Sequence, residues 1–339
     1  MTMPPFPLRD RYVLTRGFFL LKKGTSMKPA SLKFEEQLEL LKQRGMIITD
    51  TDVKKLENIS YYRLKEFAHP LSTTTKKDGK ININYNGVEF KEVISRYYQD
   101  KNLRIFLLHA IEKIEVSVKT KLSYILGEQY GAFGYLDFSK WGNRQEFSRF
   151  TMQEREYRFK KNLKKSMRKT SLADAKKKSN QDADGFPTVW LAINILMFGE
   201  LVNVIEVLSK KNQRLLASEY NCSAIEFVSW MKTLHFIRNV CAHNSNIIDI
   251  QIKTEAVYKP EWNEYLYIFE NNGEDVKPTN RLAVVLLILR HFIEVINPKY
   301  KWQNVNQSIW RLASKKDKKA QLLGFKNLES LKHFTKKKC

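Results

Sequence analysis

Apolar residues recur at steps of three and four over several long stretches of the chain, which is the spacing of an α-helix with one buried face. The longest such helix is predicted over residues 91–126. Its apolar stripe comprises Leu107, Ile111, Ile114, Val118, Leu122 and Ile125. Similar patterns predict helices over residues 188–209, 223–243 and 280–296. We expect these four helices to form the core of an all-α bundle.

Shorter elements are predicted ahead of this core. Helices are expected over residues 31–44, 51–58 and 61–68. Gly45 follows the first of these helices and predicts where it ends. Alternating apolar and polar residues over 81–90, with Asn86-Gly87 between two short runs, predict a small hairpin or loop edge.

Composition and pattern divide the chain into six segments. They are an N-terminal extension (1–27), an N-terminal helical half (28–138), a basic insertion (139–187), core helices with the motif described below (188–250), a C-terminal helical part (251–310) and a basic tail (311–339). Within the insertion, residues 139–186 are expected to be partly mobile, and the tail is weakly patterned. Lys22-Lys23-Gly24 would be encoded by a purine-rich stretch like a bacterial ribosome-binding site, so we expect Met27 to be the true start.

Composition limits the classes of protein to which this chain can belong. With 339 residues, 43% of them hydrophobic, it can fold around a sizeable core. Its three cysteines have no paired spacing, which fits a reducing bacterial cytoplasm, and no C-x-x-C or His/Cys cluster predicts a metal site. The longest apolar run, Leu282–Leu289, is too short to span a bilayer, so we expect a cytoplasmic protein without a membrane partner. No cofactor is predicted.

The formal net charge of +23 is concentrated in three segments. Residues 144–178 carry 13 basic and 4 acidic side chains, residues 311–338 carry 10 and 2, and residues 1–28 carry 6 and 1. Concentrated positive charge favours a polyanionic partner, and RNA is our first choice over simple solvation of helix faces. The predicted RNA-binding residues are Lys160, Lys161, Lys164, Lys165, Arg168 and Lys169. Interleaved aromatic residues such as Phe150 and Tyr157 suit stacking on single-stranded RNA, or equally dock the segment onto the core.

The candidate chemistry lies in the stretch Arg238-Asn239-Val240-Cys241-Ala242-His243, at the end of the predicted helix 223–243. A guanidinium holds a phosphate in a fork, an imidazole exchanges a proton near neutral pH, and an amide orients one or the other. Arg238 continues an apolar stripe, so it is expected to be buried and to need a partner or a ligand. The alternative is structural: Arg238 pairs with a buried carboxylate, and His243 caps the C-terminus of the helix.

Two carboxylates of the predicted helix 91–126 bear on these alternatives. Glu112 and Glu115 flank its apolar stripe and lie three residues apart on one side. Either carboxylate can meet Arg238 across the core and orient it as a supporting residue. Glu115 can instead pair with Lys119 on the surface of its own helix, and this is the favoured alternative.

Five segments resemble, in order, segments of the Abi-like family of bacterial abortive-infection proteins (the AbiD/AbiF type), which belongs to the HEPN superfamily. They are residues 28–50, 59–67 (ISYYRLKEF), 103–126, 189–208 and 230–244 (WMKTLHFIRNVCAHN). HEPN ribonucleases carry R-x4-6-H, commonly with a polar residue after the arginine, and Arg238, Asn239 and His243 match these positions. The run Asn244–Asp249 departs from the family, whose members often continue with a His or a basic residue and then an Asn.

The resemblance implies a HEPN-type four-helix arrangement and a homodimer whose two Arg/His motifs meet in one cleft. It implies a phage-defence protein that acts as a metal-independent endoribonuclease. Arg238 and His243 would be catalytic, and Asn239 would hold the phosphate or the imidazole. The first alternative is a non-catalytic RNA-binding protein of a toxin–antitoxin-like system that binds a small structured RNA. The second is a protein-interaction module in which Arg238 and His243 are structural.

Overall fold

A computed structural model of the chain describes residues 31–49, 52–77, 80–252, 256–269 and 277–336. The chain divides into two compact units, one up to Ser95 and one from Arg96 onward. Helices dominate the described residues, as the all-α prediction requires. The predicted extension 1–27 and the last residues of the basic tail lie outside the described residues, and the six-segment division stays a prediction. None of the helices in the described residues is long and apolar enough to cross a membrane.

The first unit begins with three short helices, all of which the sequence predicts. They are α1 (Phe34–Gln43), α2 (Val53–Asn58) and α3 (Tyr61–Ala68). α1 stops just before Gly45, which takes a left-handed conformation with φ +87° that glycine adopts without strain. Leu41, Leu56 and Phe67 are among the buried side chains of this unit, so each helix contributes an apolar face.

The structure corrects the predicted hairpin. β1 (Thr73–Lys77) pairs antiparallel with β2 (Lys80–Asn84), so the partner of the strand at 81–84 precedes it in the chain instead of following it. Three consecutive β-branched residues, Thr73–Thr75, favour an extended strand although they carry no apolar signal. The predicted turn at Asn86-Gly87 lies after β2 and leads the chain toward the next helix.

The second unit contains most of a long helix, α4 (Phe90–Tyr130). Its predicted stripe is buried from Leu107 to Leu122, with no more than 1% of any of those side chains exposed. Ile125 is only half-buried, and Leu126 takes the last buried position in its place. The periodicity of the sequence therefore predicts the buried face of α4 correctly over four of its turns.

The polar stretch 139–186, which is expected to be partly mobile, contains regular helices. They are α5 (Phe138–Trp141), which begins just before it, and α6 (Arg149–Lys169). Met152, Phe159 and Leu163 bury one side of α6. Because these three apolar residues are spaced by seven and then four among basic neighbours, they provide enough burial to dock α6 but little periodic signal.

The predicted helix 188–209 is two helices. The middle of the second unit comprises α7 (Val189–Asn194), α8 (Phe198–Val207), α9 (Lys210–Ser218) and α10 (Ala224–Ala242). At the break, the Lys119 ammonium of α4 donates to the carbonyl oxygens of Asn194 (3.2 Å) and Leu196 (2.6 Å). Lys119 thus supplies hydrogen bonds to carbonyls that the interrupted helix leaves without helical partners. The break escaped prediction because a mostly apolar run gives little period from which to read where one helix ends and the next begins.

The C-terminal part of the second unit is also helical. A short strand pair, β3 (Ile268–Phe269) with β4 (Lys277–Pro278), precedes α11 (Leu282–Ile296), which is followed by α12 (Gln303–Ala313), α13 (Asp317–Leu322) and α14 (Leu328–Lys336). Phe325, Leu331 and Phe334 are buried. The basic tail is therefore a packed part of the fold up to Lys336, which its weak apolar pattern did not predict. α10 packs against α8, α9 and α11, which puts the motif helix inside this unit.

Candidate functional site

α10 has a strong start and carries the candidate motif at its other end. The Ser223 hydroxyl accepts a hydrogen bond from the Glu226 amide, and the Glu226 carboxylate accepts one from the Ser223 amide. This reciprocal pair is a capping box, and it fixes the first turn of the helix. The buried stripe of α10 includes Phe227, Trp230, Met231, Leu234, Ile237 and Cys241.

The structure corrects the predicted burial of Arg238. Its side chain is exposed, and Phe236 is 41% exposed, so α10 is not surrounded on all sides. Ile237 takes the buried position between Leu234 and Cys241. Both residues fit a step of three or four along the stripe, and the packing of neighbouring helices selects Ile237. Arg238 is therefore accessible to a phosphate from solvent.

A short hydrogen-bond chain holds the Arg238 side chain. Arg238 Nη1 donates to Asn239 Oδ1 at 3.3 Å, and Asn239 Nδ2 lies 3.1 Å from His235 Nε2. An amide nitrogen only donates, so His235 Nε2 must accept, and the ring proton must sit on Nδ1. The motif is thus larger than the sequence suggested, because His235 belongs to it. The spacing His235-x3-Asn239 is the signal that could have found it, since residues four apart share a helix face.

His235 sits in a close-fitting niche against the start of α8. A Cβ atom on Gly199 would lie only 2.8 Å from His235 Nε2, so a side chain at position 199 would displace the imidazole. The Phe198 ring meets the imidazole edge-on, with 6.0 Å between ring centroids. Burial and then the positive charge of Arg238 lower the pKa of His235, while Glu206 opposes the shift. The neutral imidazole is therefore the favoured form at neutral pH.

His243 lies where α10 ends. Ala242 is the last helical residue, and the His243 amide donates to the carbonyl oxygens of Asn239 and Cys241 as the C-cap. Asn244 follows in a left-handed conformation with φ +56°, which turns the chain away from the helix axis. The His243 side chain is exposed. The helix therefore ends one residue before the predicted bound of 243, and the Arg238 and His243 side chains are both exposed near this terminus.

A buried carboxylate of α4 holds the turn that follows His243. Asp100 is fully buried and accepts hydrogen bonds from the Ile247 amide (2.7 Å), the Ile248 amide (3.3 Å) and Arg104 Nε (2.8 Å). Arg104 Nη1 donates in turn to Asn244 Oδ1 at 2.5 Å. Asp100 and Arg104 thus anchor the chain on the far side of the C-cap. We refer to these two residues with their partners as the Asp100 clamp.

A second ion pair continues the Asp100 clamp. Arg96 Nη2 donates to Asp249 Oδ1 at 2.5 Å, and the Arg96 and Asp249 side chains are only 4% and 13% exposed. Asp249, which ends the run that departs from the Abi-like pattern, is therefore a structural partner of α4.

Burial and the neighbouring Asp100 charge raise the pKa of the Cys241 thiol to about 12, so Cys241 stays protonated. The sequence does not predict the roles of Arg96, Asp100 and Arg104, because their partners lie far away in the chain.

The two carboxylates proposed as support for Arg238 lie elsewhere. Glu115 pairs with Lys119 at 2.7 Å on its own helix, as in the favoured alternative. Glu112 is exposed to solvent. The hydrogen bond found for Arg238 goes to its sequence neighbour Asn239. In the described part of the chain, no cluster of three or more His, Cys, Asp or Glu side chains is grouped to hold a metal ion.

The predicted RNA-binding residues of α6 fall into two groups. Lys160 pairs with Glu156 at 2.6 Å, and Lys164 donates to the Asp184 and Gly185 carbonyl oxygens, so both have partners within the fold. The other four side chains are exposed: Lys161, Lys165, Arg168 and Lys169. Two of the interleaved rings, Phe150 and Tyr157, are 75% and 66% exposed, whereas Phe159 is buried in the core.

α8 connects the basic helix α6 to the motif helix α10. The Glu206 carboxylate of α8 lies 2.6 Å from Lys232 Nζ of α10 and 3.7 Å from Arg155 Nη1 of α6. Asn162 of α6 also donates to Glu200 of α8 at 2.9 Å. Burial raises the pKa of Glu200 above its ordinary range. These contacts fix the exposed cations of α6 and the exposed end of α10 within one packed group of helices.

The chain is similar to a known protein family. The family model described as Abi-like protein matches residues 54–249, which is more than half of the chain. The matched range covers α4, α6, α8 and α10, and it ends at Asp249, the last residue tied to α4 by the contacts described above. Neither a search of curated proteins nor a search of solved structures finds a match.

Proposed function

The chain belongs to the Abi-like protein family, which points to abortive infection as a defence against phage, and we propose that it acts there as a metal-independent HEPN-type endoribonuclease. The observation that carries the proposal is the end of α10. An exposed Arg238, held by the Asn239 amide, and an exposed His243 lie within one turn and a half of the same helix. The two side chains supply a phosphate-binding fork and a proton carrier.

In the proposed reaction, His243 removes the proton from a ribose 2′-hydroxyl. The 2′-oxygen then bonds to the adjacent phosphorus, and the bond from phosphorus to the 5′-oxygen breaks. Arg238 neutralises the negative charge that grows on the phosphoryl oxygens as the fifth bond forms. The leaving 5′-oxygen takes a proton from water or from the His243 imidazolium of a second copy of the site, so the products are a 2′,3′-cyclic phosphate and a 5′-hydroxyl. DNA, which has no 2′-hydroxyl, is not a substrate.

RNA would bind along α6 before it reaches the motif. Lys161, Lys165, Arg168 and Lys169 are exposed cations on one helix, and they need no specific base sequence to attract a phosphate backbone. The exposed Tyr157 ring gives a base a surface on which to stack. The packing of α6 on α8 and of α8 on α10 supports the idea that a strand held by α6 also reaches Arg238.

A homodimer is part of this proposal. One His243 cannot both accept the 2′-proton and donate to the leaving oxygen in the same step, and a second copy of the site removes this difficulty. Phe236, two residues before Arg238 on α10, is 41% exposed, which suits an apolar contact beside the motif. Phe236→Asp should therefore shift the protein toward the monomer in light scattering and reduce RNA cleavage together with dimer content.

The test uses wild-type protein and His243→Ala with total bacterial RNA in the presence of EDTA. We expect the wild type to leave 2′,3′-cyclic phosphate ends and His243→Ala to cut about 10²–10⁴-fold more slowly. His109→Ala is the matched control, because His109 is an exposed histidine on α4 that lies outside the motif. Equal loss in both variants, or similar cleavage of a DNA oligonucleotide, would refute the mechanism.

The second candidate function is RNA binding without cleavage, in a toxin–antitoxin-like system with a small structured RNA. The exposed cations and rings of α6 favour it, since they suffice for affinity without His243. The discriminating variant replaces Lys161, Lys165, Arg168 and Lys169 with alanine. The control replaces four exposed tail lysines, Lys315, Lys316, Lys318 and Lys326, and so removes the same charge.

Each lost phosphate contact should flatten the plot of log affinity against log salt by about 0.7 for single-stranded RNA. If RNA co-purifies with the wild type and with His243→Ala but is never cut, binding alone is the function. If the α6 variant and the tail variant lose affinity equally, α6 is not the specific RNA surface.

A further inference from the structure

We propose that His235 is a positioning residue for Arg238: its imidazole holds the Asn239 amide so that the amide oxygen faces the guanidinium. This inference rests on the proposed function, in which Arg238 binds the scissile phosphate. His235 makes no contact with that phosphate in the proposal and acts through Asn239. Two hydrogen bonds carry the argument, one on each side of the same amide.

The orientation of the Asn239 amide is set by its two neighbours. An Asn side chain presents an oxygen on one side and an NH2 group on the other, and a rotation by 180° exchanges them. Nothing in a lone Asn chooses between the two orientations. In this site, a neutral His235 offers Nε2 as an acceptor at 3.1 Å, so the NH2 group turns toward it. The oxygen is then left for Arg238, whose Nη1 donates to it at 3.3 Å.

The surroundings of the His235 imidazole hold the ring in place and keep it neutral. The helix α8 leaves room for the ring because position 199 is a glycine, and the Phe198 ring closes on its edge. The charged groups that bear on His235 are Arg238 of its own helix and Glu206 of α8. Glu206 also pairs with Lys232, and the positive charge of Lys232 offsets part of the negative charge of Glu206. Burial and the guanidinium together lower the pKa of His235 and favour the neutral ring. The Asn239 amide nitrogen, which only donates, then selects the tautomer with its proton on Nδ1.

The bond to Asn239 leaves most of the guanidinium donors of Arg238 free. A guanidinium has five N–H donors, and the bond to Asn239 occupies one of them at Nη1. The remaining donors can still grip a phosphate in a fork. If His235 takes up a second proton, Nε2 becomes a donor and the Asn239 amide must turn its oxygen to it. The NH2 group then faces Arg238, and the guanidinium loses its support.

The experiment compares His235→Gln with His235→Leu in single-turnover RNA cleavage across pH. A Gln side chain reaches about as far as His Nε2 and can offer an oxygen that does not titrate in this range, whereas Leu offers no acceptor. We expect His235→Leu to lower the cleavage rate about tenfold or more with RNA affinity unchanged. His235→Gln should keep most of the rate and weaken the loss of activity at acidic pH. His109→Gln, a substitution outside the motif, should leave the profile unchanged.

Two outcomes would overturn the proposal. Cleavage by His235→Leu at the wild-type rate would mean that the amide needs no such support. Equal loss in His235→Gln and His235→Leu would mean that the imidazole is needed for something other than accepting a bond from Asn239.

A second readout separates this inference from the proposed function. Imidazole ¹⁵N spectra of the free protein should show His235 neutral, with its proton on Nδ1, at pH 7. The His235→Gln variant assigns the signal, and Asn239→Leu should shift it. Detection of the Nε2–H tautomer would overturn the positioning role. The spectra need no substrate and therefore test the positioning role by itself. If the wild-type protein leaves RNA intact, the proposed function is refuted, but the arrangement of His235 and Asn239 is not.

Discussion

Replacement of Asp100 with alanine should be one of the most destabilising single changes in the second unit. The carboxylate is fully buried, and it accepts from Arg104 and from the amides of Ile247 and Ile248. Arg104 is itself only 6% exposed. Asp100→Ala would therefore remove a buried counter-charge and the acceptor of two backbone N–H groups at the same time.

The magnitude follows from these partners. Removal of one member of a buried ion pair costs about 3–5 kcal/mol, because the remaining charge stays buried without compensation. Each buried amide that loses its acceptor costs about 1–3 kcal/mol more, although relaxation makes such losses less than additive. We expect a decrease in the free energy of unfolding of about 4 kcal/mol. For a unit of this size, that corresponds to a decrease in Tm of roughly 8–16 °C.

Urea unfolding followed by circular dichroism measures this change, with Glu112→Ala as the control. Glu112 lies on the same helix and is exposed, so its replacement should change the free energy of unfolding by less than about 0.5 kcal/mol. Asp100→Asn keeps the shape and one oxygen, so it should fall between the two. A loss below about 1 kcal/mol in Asp100→Ala would refute the reasoning, because it would mean that Arg104 and the two amides are satisfied without the carboxylate.

Three further predictions concern α10 and its surroundings. Gly199→Ala should displace the imidazole of His235, since the added Cβ would lie 2.8 Å from Nε2. We expect it to lower RNA cleavage and to change Tm little. Unaltered cleavage would show that the ring has room to move. Burial lowers the pKa of His235 and of His291 below the ordinary histidine value. The unfolded chain then binds more protons than the folded chain once the pH falls below about 6.5, so the free energy of unfolding should decrease from pH 7 toward pH 5. His235→Gln should weaken that decrease, and a pH dependence identical to the wild type would contradict the shift assigned to His235. Ser223→Ala breaks the capping box and should cost about 0.5–2 kcal/mol in urea unfolding, with no loss expected in Ser171→Ala, an exposed serine between helices.

The sequence predicts the helices best where an apolar stripe has a clear period. The stripe of α4 from Leu107 to Leu122 is such a case. The prediction fails where the sequence is mostly apolar on all sides, as at the break between α7 and α8. There the carbonyls at the end of α7 accept hydrogen bonds from Lys119, which lies about 75 residues earlier in the chain.

The site shows the same limit at a finer scale. Leu234 and Cys241 fit an apolar stripe with either Ile237 or Arg238 between them, and only the packing of α8, α9 and α11 decides which is buried. Arg96 and Asp249 are 153 residues apart in the chain, so no local pattern pairs them. His235 was within reach of the sequence analysis, because its spacing of four from Asn239 is a local signal.

The Asp100 clamp has a consequence for motion at the end of α10. Helix ends normally fray, and their amide protons exchange with solvent through small local openings. The amides of Ile247 and Ile248, just beyond His243, instead donate to a fully buried carboxylate of α4. Their exchange requires that carboxylate to be uncovered, which is a much larger opening. The turn just beyond the proposed chemistry should therefore exchange, at these two amides, as slowly as the core of the second unit.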